Sequence, residues 1–355
     1  MNNIDPNIAN NTPIYIVGHF ANFEKAYDGQ TIKTIEIYRQ LTSRYGNDRI
    51  KIIDTHNQKQ NRIKLLLQCI LASKKAKNII IIPASNGAKK LVPIFVNLKK
   101  IRNFKLHYIL IGAAIYQHAE KHPYFNNCLR KINYIYAETQ TLQNNLKKVG
   151  VKNVQIMRNF KNLKISKIKS KNNNILRCCI FSRIEPQKGV EDAIRIVDLI
   201  TAKKPGRISL DIYGKISADY QDKFNGLLRK SKCSRYMGVV KPSDSVQIIS
   251  KYDILLFPTK YYTEGIPGTI IDAFFSGTPI IASKWENFKD VIKDGKTGIG
   301  YEFEDIEDFE KKVEEVLGGK HDLKKMSAEC RKAAREYEPE KNMKILFENI
   351  ESTRI

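Results

Sequence analysis

The chain has 355 residues, of which 42% are hydrophobic, and a formal net charge of +24. This length is typical of two domains, and the apolar fraction is enough for a sizeable core in each. No run approaches the roughly 18 consecutive apolar residues that span a bilayer, and residues 1–13 lack a signal sequence. We therefore expect a cytoplasmic protein without a membrane-spanning segment.

The positive charge is concentrated in the first half. Residues 1–165 contain 27 Lys and Arg against 8 Asp and Glu, whereas residues 166–355 contain 34 against 29. Such an asymmetry indicates an anionic partner for the first half. Nucleic acid, an anionic membrane surface and phosphorylated substrates all satisfy this charge requirement.

The cysteines indicate neither a zinc site nor a disulfide framework, because they show no C-x-x-C spacing and no clustering with histidine. The six residues are Cys69, Cys128, Cys178, Cys179, Cys233 and Cys330.

The first half alternates apolar runs with helical stretches. Such runs predict a parallel sheet covered on both faces. The predicted strands are 14–20, 50–55, 78–84, 106–112 and 132–138, with 154–160 closing a first domain over 1–164.

The loop 21–31, between the first strand and the first helix, is a candidate ligand contact. Gly29 allows a ligand to approach the backbone closely, and Thr31 or the amides of Gly29 and Gln30 could meet a phosphate at the helix start. A plain helix cap explains the same residues equally well.

Two helical stretches, 61–78 and 88–105, are both basic and apolar. Each suits either a core helix with a solvated basic face or a helix that lies on an anionic membrane. The core interpretation is favoured for the first stretch, and the two are balanced for the second. Pro93 is expected in the first turn of the second helix. Its basic side chains are expected to be solvated, namely those of Lys99, Lys100, Arg102 and Lys105.

Residues 161–176 lose all periodicity and are the best linker candidate. The α/β pattern then restarts, and two such domains in series suit a pair of Rossmann-like units with a cleft between them. The predicted strands are 177–184, 208–214, 253–259 and 278–283, and the predicted helices are 191–203, 242–252 and 339–355.

The stretch 182–189 comes directly off a predicted strand. Arg183 offers a bidentate fork for phosphate oxygens and Lys188 a compact point charge, a combination that suits a pyrophosphate. An ordinary surface loop is the alternative in a chain with 61 basic residues.

The stretch 263–283 reads as a Gly-rich turn, a short buried helix and a strand. A helix that starts in this way offers backbone N–H groups to an anionic ligand. Glu264 lies in the turn, and Asp272 lies in the apolar helix, where a charge is costly unless it is paired. A ligand hydroxyl or a neighbouring loop would satisfy Asp272.

These residues, TEGIPGTIIDAFFSGTPIIAS, resemble the donor-sugar motif of the retaining GT-B-fold glycosyltransferases of family 4. In that motif seven residues separate two acids, here Glu264 and Asp272, although the family usually has Glu at the second position. The resemblance also implies that Arg183 and Lys188 form the diphosphate clamp. It implies an α/β GT-B fold in which two Rossmann-like domains face each other across a cleft. The first would bind the acceptor, 165–336 would bind the nucleotide sugar, and a helix within 337–355 would cross back to the first domain.

The resemblance further implies roles for individual residues. Glu264 would hold donor-sugar hydroxyls, Asp272 the ribose diol, and the backbone near Val239 the nucleotide base. Glu264, Arg183 and Lys188 form the expected catalytic set. The expected donor-binding residues are Gly29, Gln30, Thr31, Gly214, Val239, Gly265, Ile266, Gly268, Thr269, Ile270 and Asp272.

The expected function is that of a retaining glycosyltransferase. It would move a sugar from a nucleotide sugar, a UDP-sugar above all, to a lipid-linked or glycan acceptor at the inner face of the plasma membrane, in cell-surface polysaccharide synthesis. Since no Asp-x-Asp stands where a metal would clamp the diphosphate, neither a metal nor a cofactor is expected besides the nucleotide-sugar co-substrate. The basic first half would contact the anionic membrane.

Two alternatives remain open. One is a glycosyltransferase with a soluble acceptor, and the other is a non-catalytic protein of the same fold that binds an anionic polymer. No RNA- or DNA-binding signature appears, so nucleic acid is not an expected partner.

Overall fold

The computed structural model describes residues 12–23, 28–56, 62–166 and 174–353, which form two compact units. Unit 1 comprises Met1–Met157 and Asn342–Ile355, and unit 2 comprises Arg158–Lys341. The change of unit falls after residue 157, seven residues before the predicted boundary, because residues 158–166 pack with the second unit. Residues 167–173 of the predicted linker lie outside the described part of the chain.

Unit 1 is built on a six-stranded parallel sheet in the order β2-β1-β3-β4-β5-β6. All six predicted strands are present, each shortened at its carboxyl end because the last predicted residues turn into the loops. They are β1 (Ile14–Gly18), β2 (Ile50–Asp54), β3 (Asn78–Ile82), β4 (Lys105–Ile109), β5 (Tyr134–Ala137) and β6 (Val154–Ile156).

The helices of unit 1 cover this sheet. They are α1 (Gly29–Tyr45), α2 (Arg62–Lys75), α3 (Ser85–Lys99), α4 (Ile115–Lys121), α5 (Pro123–Arg130) and α6 (Gln140–Lys148), with most of the last helix of the chain, α14 (Pro339–Glu351). Strands β1, β3, β4 and β5 are almost wholly buried, as the continuous apolar runs predict for a sheet covered on both faces, whereas the edge strands β2 and β6 are partly exposed.

Unit 2 repeats the design with a parallel sheet in the order β12-β11-β10-β7-β8-β9. Its strands are β7 (Leu176–Phe181), β8 (Ile208–Tyr213), β9 (Ser234–Tyr236), β10 (Ile254–Phe257), β11 (Ile280–Ser283) and β12 (Gly298–Tyr301). The sequence analysis missed β9 and β12. Both are short, β9 is largely exposed, and β12 contains two glycines, so neither shows a clear apolar run.

The helices of unit 2 are α7 (Val190–Lys203), α8 (Gln221–Lys230), α9 (Ser245–Ile249), α10 (Gly268–Ser276), α11 (Phe288–Val291), α12 (Ile306–Leu317) and α13 (Leu323–Ala334). The helix predicted over 242–252 is shorter than expected, since it begins as a 3-10 turn, Pro242–Asp244, before α9.

The strand order of unit 2 reverses between β7 and β10, because the chain proceeds from β7 to β8 on one side and adds β10 on the other. In open parallel sheets, ligands bind outside the carboxyl ends of the strands at such a switch point. Here those ends lead into residues 182–189, which the sequence analysis selected, and into residues 258–268, which contain the start of the other selected stretch, 263–283.

Pro93 lies inside α3 and not in its first turn. The helix starts at Ser85, three residues before the apolar pattern begins, because the polar residues 85–87 are already helical. Pro93 therefore removes one intrahelical hydrogen bond from the middle of α3. The prediction for this residue was wrong.

The expectation of solvated basic side chains in 88–105 is also wrong for two residues. Lys105 is 4% exposed, and its Nζ donates to the carbonyl oxygens of Asn349, at 3.1 Å, and Ser352. Lys99 donates to Asn133. Burial lowers the pKa of both lysines. Lys105 opens the central strand β4, where the last residues of the chain cover it, and sequence periodicity does not reveal this contact.

Within the described ranges, no helix combines the length and the apolar character needed to cross a bilayer.

Candidate functional site

The two charged stretches of unit 2 meet at the carboxyl ends of β7 and β10, which are hydrogen-bonded neighbours in the sheet. A backbone hydrogen bond joins them, since the Lys260 amide donates to the Gln187 carbonyl at 2.8 Å. Parallel strands bring their carboxyl ends to one edge of the sheet, so residues 76 positions apart in the sequence come into contact here.

Lys188 and Glu264 form an ion pair at this edge, with 2.8 Å between Nζ and Oε2. Their side chains are 13% and 21% exposed, so both remain within reach of a ligand. Thr259 also donates to Glu264 Oε2, at 3.3 Å, and Lys188 Nζ lies 5.0 Å from the centre of the Tyr261 ring. The structure thus brings together two of the three predicted catalytic residues.

Arg183 follows β7 directly and is more exposed, with a side-chain exposure of 54%. Its Nη2 lies 3.3 Å from Oε1 of Glu185, a carboxylate that the sequence analysis did not consider. Because the guanidinium is largely hydrated, its reorientation toward a phosphate costs little desolvation.

Two glycines allow the loops to approach each other this closely. Gly189 has a φ of +68°, and a Cβ there would lie 1.8 Å from the carbonyl oxygen of Pro258. Gly214 has a φ of +139°, and a Cβ there would lie 1.7 Å from the carbonyl oxygen of Ser182. Any other residue at either position would push the strand ends apart.

This contact supports a prediction with an internal control. Gly206 has nearly the same backbone conformation as Gly189, with a φ of +72°, but nothing within 4 Å of its virtual Cβ. Gly206→Ala should therefore lower the free energy of unfolding by about 1–2 kcal/mol, because alanine is strained in the left-handed backbone conformation. Gly189→Ala should lower the free energy of unfolding by clearly more, because the Pro258 carbonyl must also move. Urea denaturation of both variants measures the difference, and equal losses would contradict the steric argument.

The start of α10 has the properties of an anion site. The amides of Ile270 and Ile271 donate to the Pro267 carbonyl, while those of Gly268 and Thr269 precede the first intrahelical bonds. The Thr269 hydroxyl is buried and has no hydrogen-bond partner within the described residues. Amide groups and a hydroxyl at a helix N-terminus together suit a phosphate or a sugar oxygen.

The neighbouring residues of this turn have mainly structural roles. The side chains of Ile266 and Ile270 are 4% and 0% exposed and belong to the core. Gly265 is buried between Glu264 and Ile266. Contact between a ligand and these three residues is therefore restricted to their backbone.

Asp272 has a partner that the sequence analysis did not foresee. Lys161 Nζ lies 2.6 and 2.7 Å from its two carboxylate oxygens, and the aspartate is 3% exposed. Burial raises the pKa of the Asp272 carboxyl, against the opposing effects of Lys161 and a hydrogen bond from Ser245. The protein partner of Asp272 is therefore Lys161 and not the neighbouring loop that the sequence analysis offered as one alternative, while the ligand hydroxyl stays a prediction.

Lys161 also explains why residue 268 is small, since a Cβ at Gly268 would lie 3.2 Å from Cε and 3.3 Å from Nζ of this lysine. It was missed because it lies 111 residues before Asp272, in the stretch assigned to the linker.

Two asparagines that the sequence analysis overlooked fix the Gly-rich turn. Asn159 donates to the Ile266 carbonyl at 2.9 Å, and Asn287 donates to the Glu264 carbonyl at 2.8 Å. No local pattern marks either residue, because each acts on a segment distant in the sequence.

The carboxyl ends of β8 and β9 add an apolar surface. Met237 and Val239 are 46% and 48% exposed. The Gly214 amide donates to the Gly238 carbonyl at 2.9 Å, and the Tyr236 hydroxyl donates to the Gly214 carbonyl at 2.9 Å. Exposed apolar side chains beside backbone polar groups suit a planar heterocyclic base.

The residues of unit 1 that were predicted to contact a phosphate form the N-terminal cap of α1. Asp28 precedes α1, and its carboxylate accepts from the Thr31 amide at 3.0 Å and from the Thr31 hydroxyl at 2.7 Å. The Thr31 hydroxyl also lies 2.8 Å from Nδ1 of His19. A phosphate at Thr31 would have to compete with Asp28. Gly29 and Gln30 occupy the first turn of α1, and a Cβ on Gly29 would meet open space.

The chain has the fold of known sugar-transfer enzymes. Anabaena HepE, solved with UDP and glucose, has a TM-score of 0.73 and 13% identity over 96% of this chain and 99% of its own. Sucrose-phosphate synthase from Thermosynechococcus elongatus has a TM-score of 0.74 and 13% identity over 96% and 99%. The lipopolysaccharide outer core galactosyltransferase WaaB has a TM-score of 0.68 and 15% identity over 95% and 99%. No curated protein matches the sequence.

These likenesses confirm the predicted α/β GT-B fold, with its two parallel six-stranded sheets. The model of the family described as glycosyl transferases group 1 matches residues 137–337, which include the whole of the site in unit 2. The match extends over more than half of the chain, and the chain therefore belongs to the glycosyl transferases group 1 family.

Proposed function

We propose that this protein is a retaining glycosyltransferase that transfers a sugar from a UDP-sugar to a lipid-linked or glycan acceptor. We place the reaction at the inner face of the plasma membrane, in cell-surface polysaccharide synthesis. The observation that carries the proposal is the Lys188–Glu264 pair, at the carboxyl ends of β7 and β10, in a chain of this family.

The donor diphosphate would bind to Lys188, Arg183 and the Thr269 hydroxyl at the start of α10. In the structure Lys188 already neutralises Glu264, so a bound diphosphate would share this lysine with the carboxylate. Preorganised positive charges of this kind stabilise the negative charge that develops on the leaving phosphate, and such electrostatic effects are a major source of rate.

Glu264 would accept hydrogen bonds from hydroxyls of the donor sugar, since it lies beside Lys188 and keeps a 21% exposed side chain. The bond between the anomeric carbon and the diphosphate oxygen would break while the acceptor oxygen bonds to the same face of that carbon. The acceptor proton would pass to the departing phosphate. This scheme requires no separate protein base.

The nucleotide base would lie against Met237 and Val239, with UDP as the nucleotide because HepE was solved with UDP. We propose that no divalent metal is needed, since Lys188 and Arg183 supply the positive charge. Transfer should then be insensitive to EDTA.

The acceptor side is proposed from charge. Unit 1 holds 26 Lys and Arg against 10 Asp and Glu, which suits an acceptor embedded in an anionic membrane. The name of WaaB describes a lipopolysaccharide acceptor, whereas the name of sucrose-phosphate synthase describes a soluble product. Transfer to a soluble acceptor is therefore the second candidate function. A sucrose-type reaction would proceed equally well with and without membranes.

The diphosphate contact can be tested by calorimetry with UDP. Arg183→Ala and Lys188→Ala should each weaken UDP binding by about 1.5–3 kcal/mol, the range for a hydrogen bond to a charged group. Lys203→Ala is the matched control, because Lys203 also forms an ion pair, with Glu310. It lies at the carboxyl end of α7, about 20 Å along the helix from Gly189. Unchanged affinity in both site variants would contradict the proposed clamp.

A further inference from the structure

Helix α2 turns its large apolar side chains outward. Ile63, Leu66, Leu67 and Leu71 are 78%, 44%, 55% and 52% exposed. The positions 63, 67 and 71 are four residues apart, so these side chains form one continuous stripe along the helix, with Leu66 beside it.

The side of α2 that packs on unit 1 carries mainly small residues, together with the partly buried Leu65. Cys69 and Ala72 are fully buried, and Ser73 is 4% exposed. On a helical projection Cys69 and Ala72 lie on the side opposite the stripe, and Ser73 lies at its margin, next to Leu66. The arrangement is the reverse of an ordinary surface helix, which directs its large apolar residues to the core. An apolar stripe of this kind marks an interaction surface.

The charged residues of α2 are all basic. Exposed Arg62 and Lys64 flank the start of the stripe, and exposed Lys74 and Lys75 flank its end. Residues 55–119 contain 12 Lys and Arg and no Asp or Glu. A second copy of α2 placed against the stripe would bring these like charges together, which is costly. A partner that supplies both apolar and anionic groups fits this surface.

The second basic and apolar stretch of the sequence does not offer such a surface. In α3 the side chains of Leu91, Val92 and Phe95 are at most 1% exposed and belong to the core of unit 1. The exposed stripe therefore lies in the stretch 61–78, for which the sequence analysis had favoured a core helix.

We propose that α2 is the membrane-docking element of this protein. Its four aliphatic side chains enter the interfacial region of an anionic bilayer, and Arg62, Lys64, Lys74 and Lys75 contact the lipid phosphates. The purpose of this docking, access to an acceptor in the same membrane, rests on the proposed function. The docking itself does not, because it requires no nucleotide sugar and no turnover.

Flotation of the full chain with vesicles tests the proposal. The protein should float with phosphatidylglycerol-containing vesicles at low salt and remain unbound with pure phosphatidylcholine. Leu67→Gln/Leu71→Gln should reduce the bound fraction at limiting lipid about tenfold, since each exposed leucine loses its apolar contact. Lys64→Gln/Lys74→Gln should reduce it several-fold, and this loss should disappear in high salt.

The matched control is Lys147→Gln/Lys148→Gln. Both lysines are exposed on α6, which leads to β6 at the sheet edge opposite β2. The two substitutions remove the same charge as those in α2. Their loss should leave the bound fraction almost unchanged. Equal losses for the two lysine pairs would overturn the assignment to α2 in favour of a diffuse electrostatic attraction.

Insertion has its own readout. Leu67→Trp should be quenched by brominated lipid acyl chains, whereas Lys148→Trp should not. The natural Trp285 is 2% exposed in unit 2 and gives a constant background. Absence of quenching at position 67 would overturn the proposal.

The other partner that could cover the stripe is a second copy of the chain, and light scattering of the protein without vesicles tests for it. We expect that the wild type does not associate through α2. The molar mass of Leu67→Gln/Leu71→Gln should therefore equal that of the wild type. A dimer that this variant converts to a monomer would identify the stripe as a self-association surface and overturn the proposal. Loss of UDP-sugar turnover with intact vesicle binding would instead contradict only the proposed function.

Discussion

Glu264→Gln should lower the rate of sugar transfer by about 10²–10³-fold, the loss typical of one group that stabilises a transition state. The amide keeps the size of the side chain but removes the negative charge beside the reacting sugar. UDP affinity should be equal to or higher than that of the wild type. The reason is that Lys188, now without its carboxylate partner at 2.8 Å, is fully available to the diphosphate.

Initial rates with a panel of UDP-sugars and calorimetry with UDP measure the two effects separately. Glu302→Gln is the matched control, since Glu302 also forms an ion pair with a lysine of unit 2, Lys284, but on an exposed surface. It should change neither quantity. A parallel loss of rate and UDP affinity in Glu264→Gln would show that this carboxylate supports the nucleotide and not the sugar.

Lys161→Met should destabilise unit 2 by about 3–5 kcal/mol, because it leaves the Asp272 carboxylate buried without its cation. The ammonium contacts both oxygens of a side chain that is 3% exposed, so water cannot replace it. Lys284→Met removes one partner of the exposed pair with Glu302 and should cost less than about 1 kcal/mol.

The loss in Lys161→Met should depend on pH. Burial raises the pKa of Asp272 in the folded protein above its value in the unfolded chain, and without Lys161 this pKa rises further. The folded state then binds the proton more tightly than the unfolded state. Stability is therefore highest below the unfolded pKa of about 3.9 and falls as the pH rises through the folded pKa. The cost should be largest at neutral pH and smaller near pH 4.5.

Urea denaturation at both pH values measures this dependence. Lys161→Met/Asp272→Asn should recover much of the stability, because the amide removes the unpaired charge. A pH-independent loss that the second change does not recover would indicate lost packing alone. Asp272→Asn by itself also tests the predicted ribose contact, since unchanged UDP affinity would contradict it.

The fold was predictable because most of its strands are continuous apolar runs that are buried in the sheets. All six strands of unit 1 were predicted, since a parallel sheet covered on both faces needs continuous apolar sequence. Of the unit 2 strands, β9 and β12 were missed because one is exposed and the other contains two glycines.

The candidate site was predictable where local chemistry marks it and not where distant segments complete it. The charged residues Lys188 and Glu264 stand next to glycines at strand ends, and the structure pairs them. Lys161 reaches Asp272 from a segment without periodicity, so nothing in its neighbourhood indicates its partner.

The outward stripe of α2 was also not predictable. An apolar pattern on a helix does not show which side faces the core when the other side is lined by small residues such as Cys69 and Ala72.

The buried Lys105 has a consequence for biosynthesis. Its ammonium is satisfied by carbonyls of Asn349 and Ser352, which the ribosome adds only after all of unit 2 has been made. Chain elongation at about 5–20 residues per second separates the two parts of unit 1 by about 10–40 s. During that interval β4 begins with a cation whose native partners do not yet exist. Unit 1, although first to emerge, is thus the last to be completed, and the usual order of domain folding along a nascent chain is inverted.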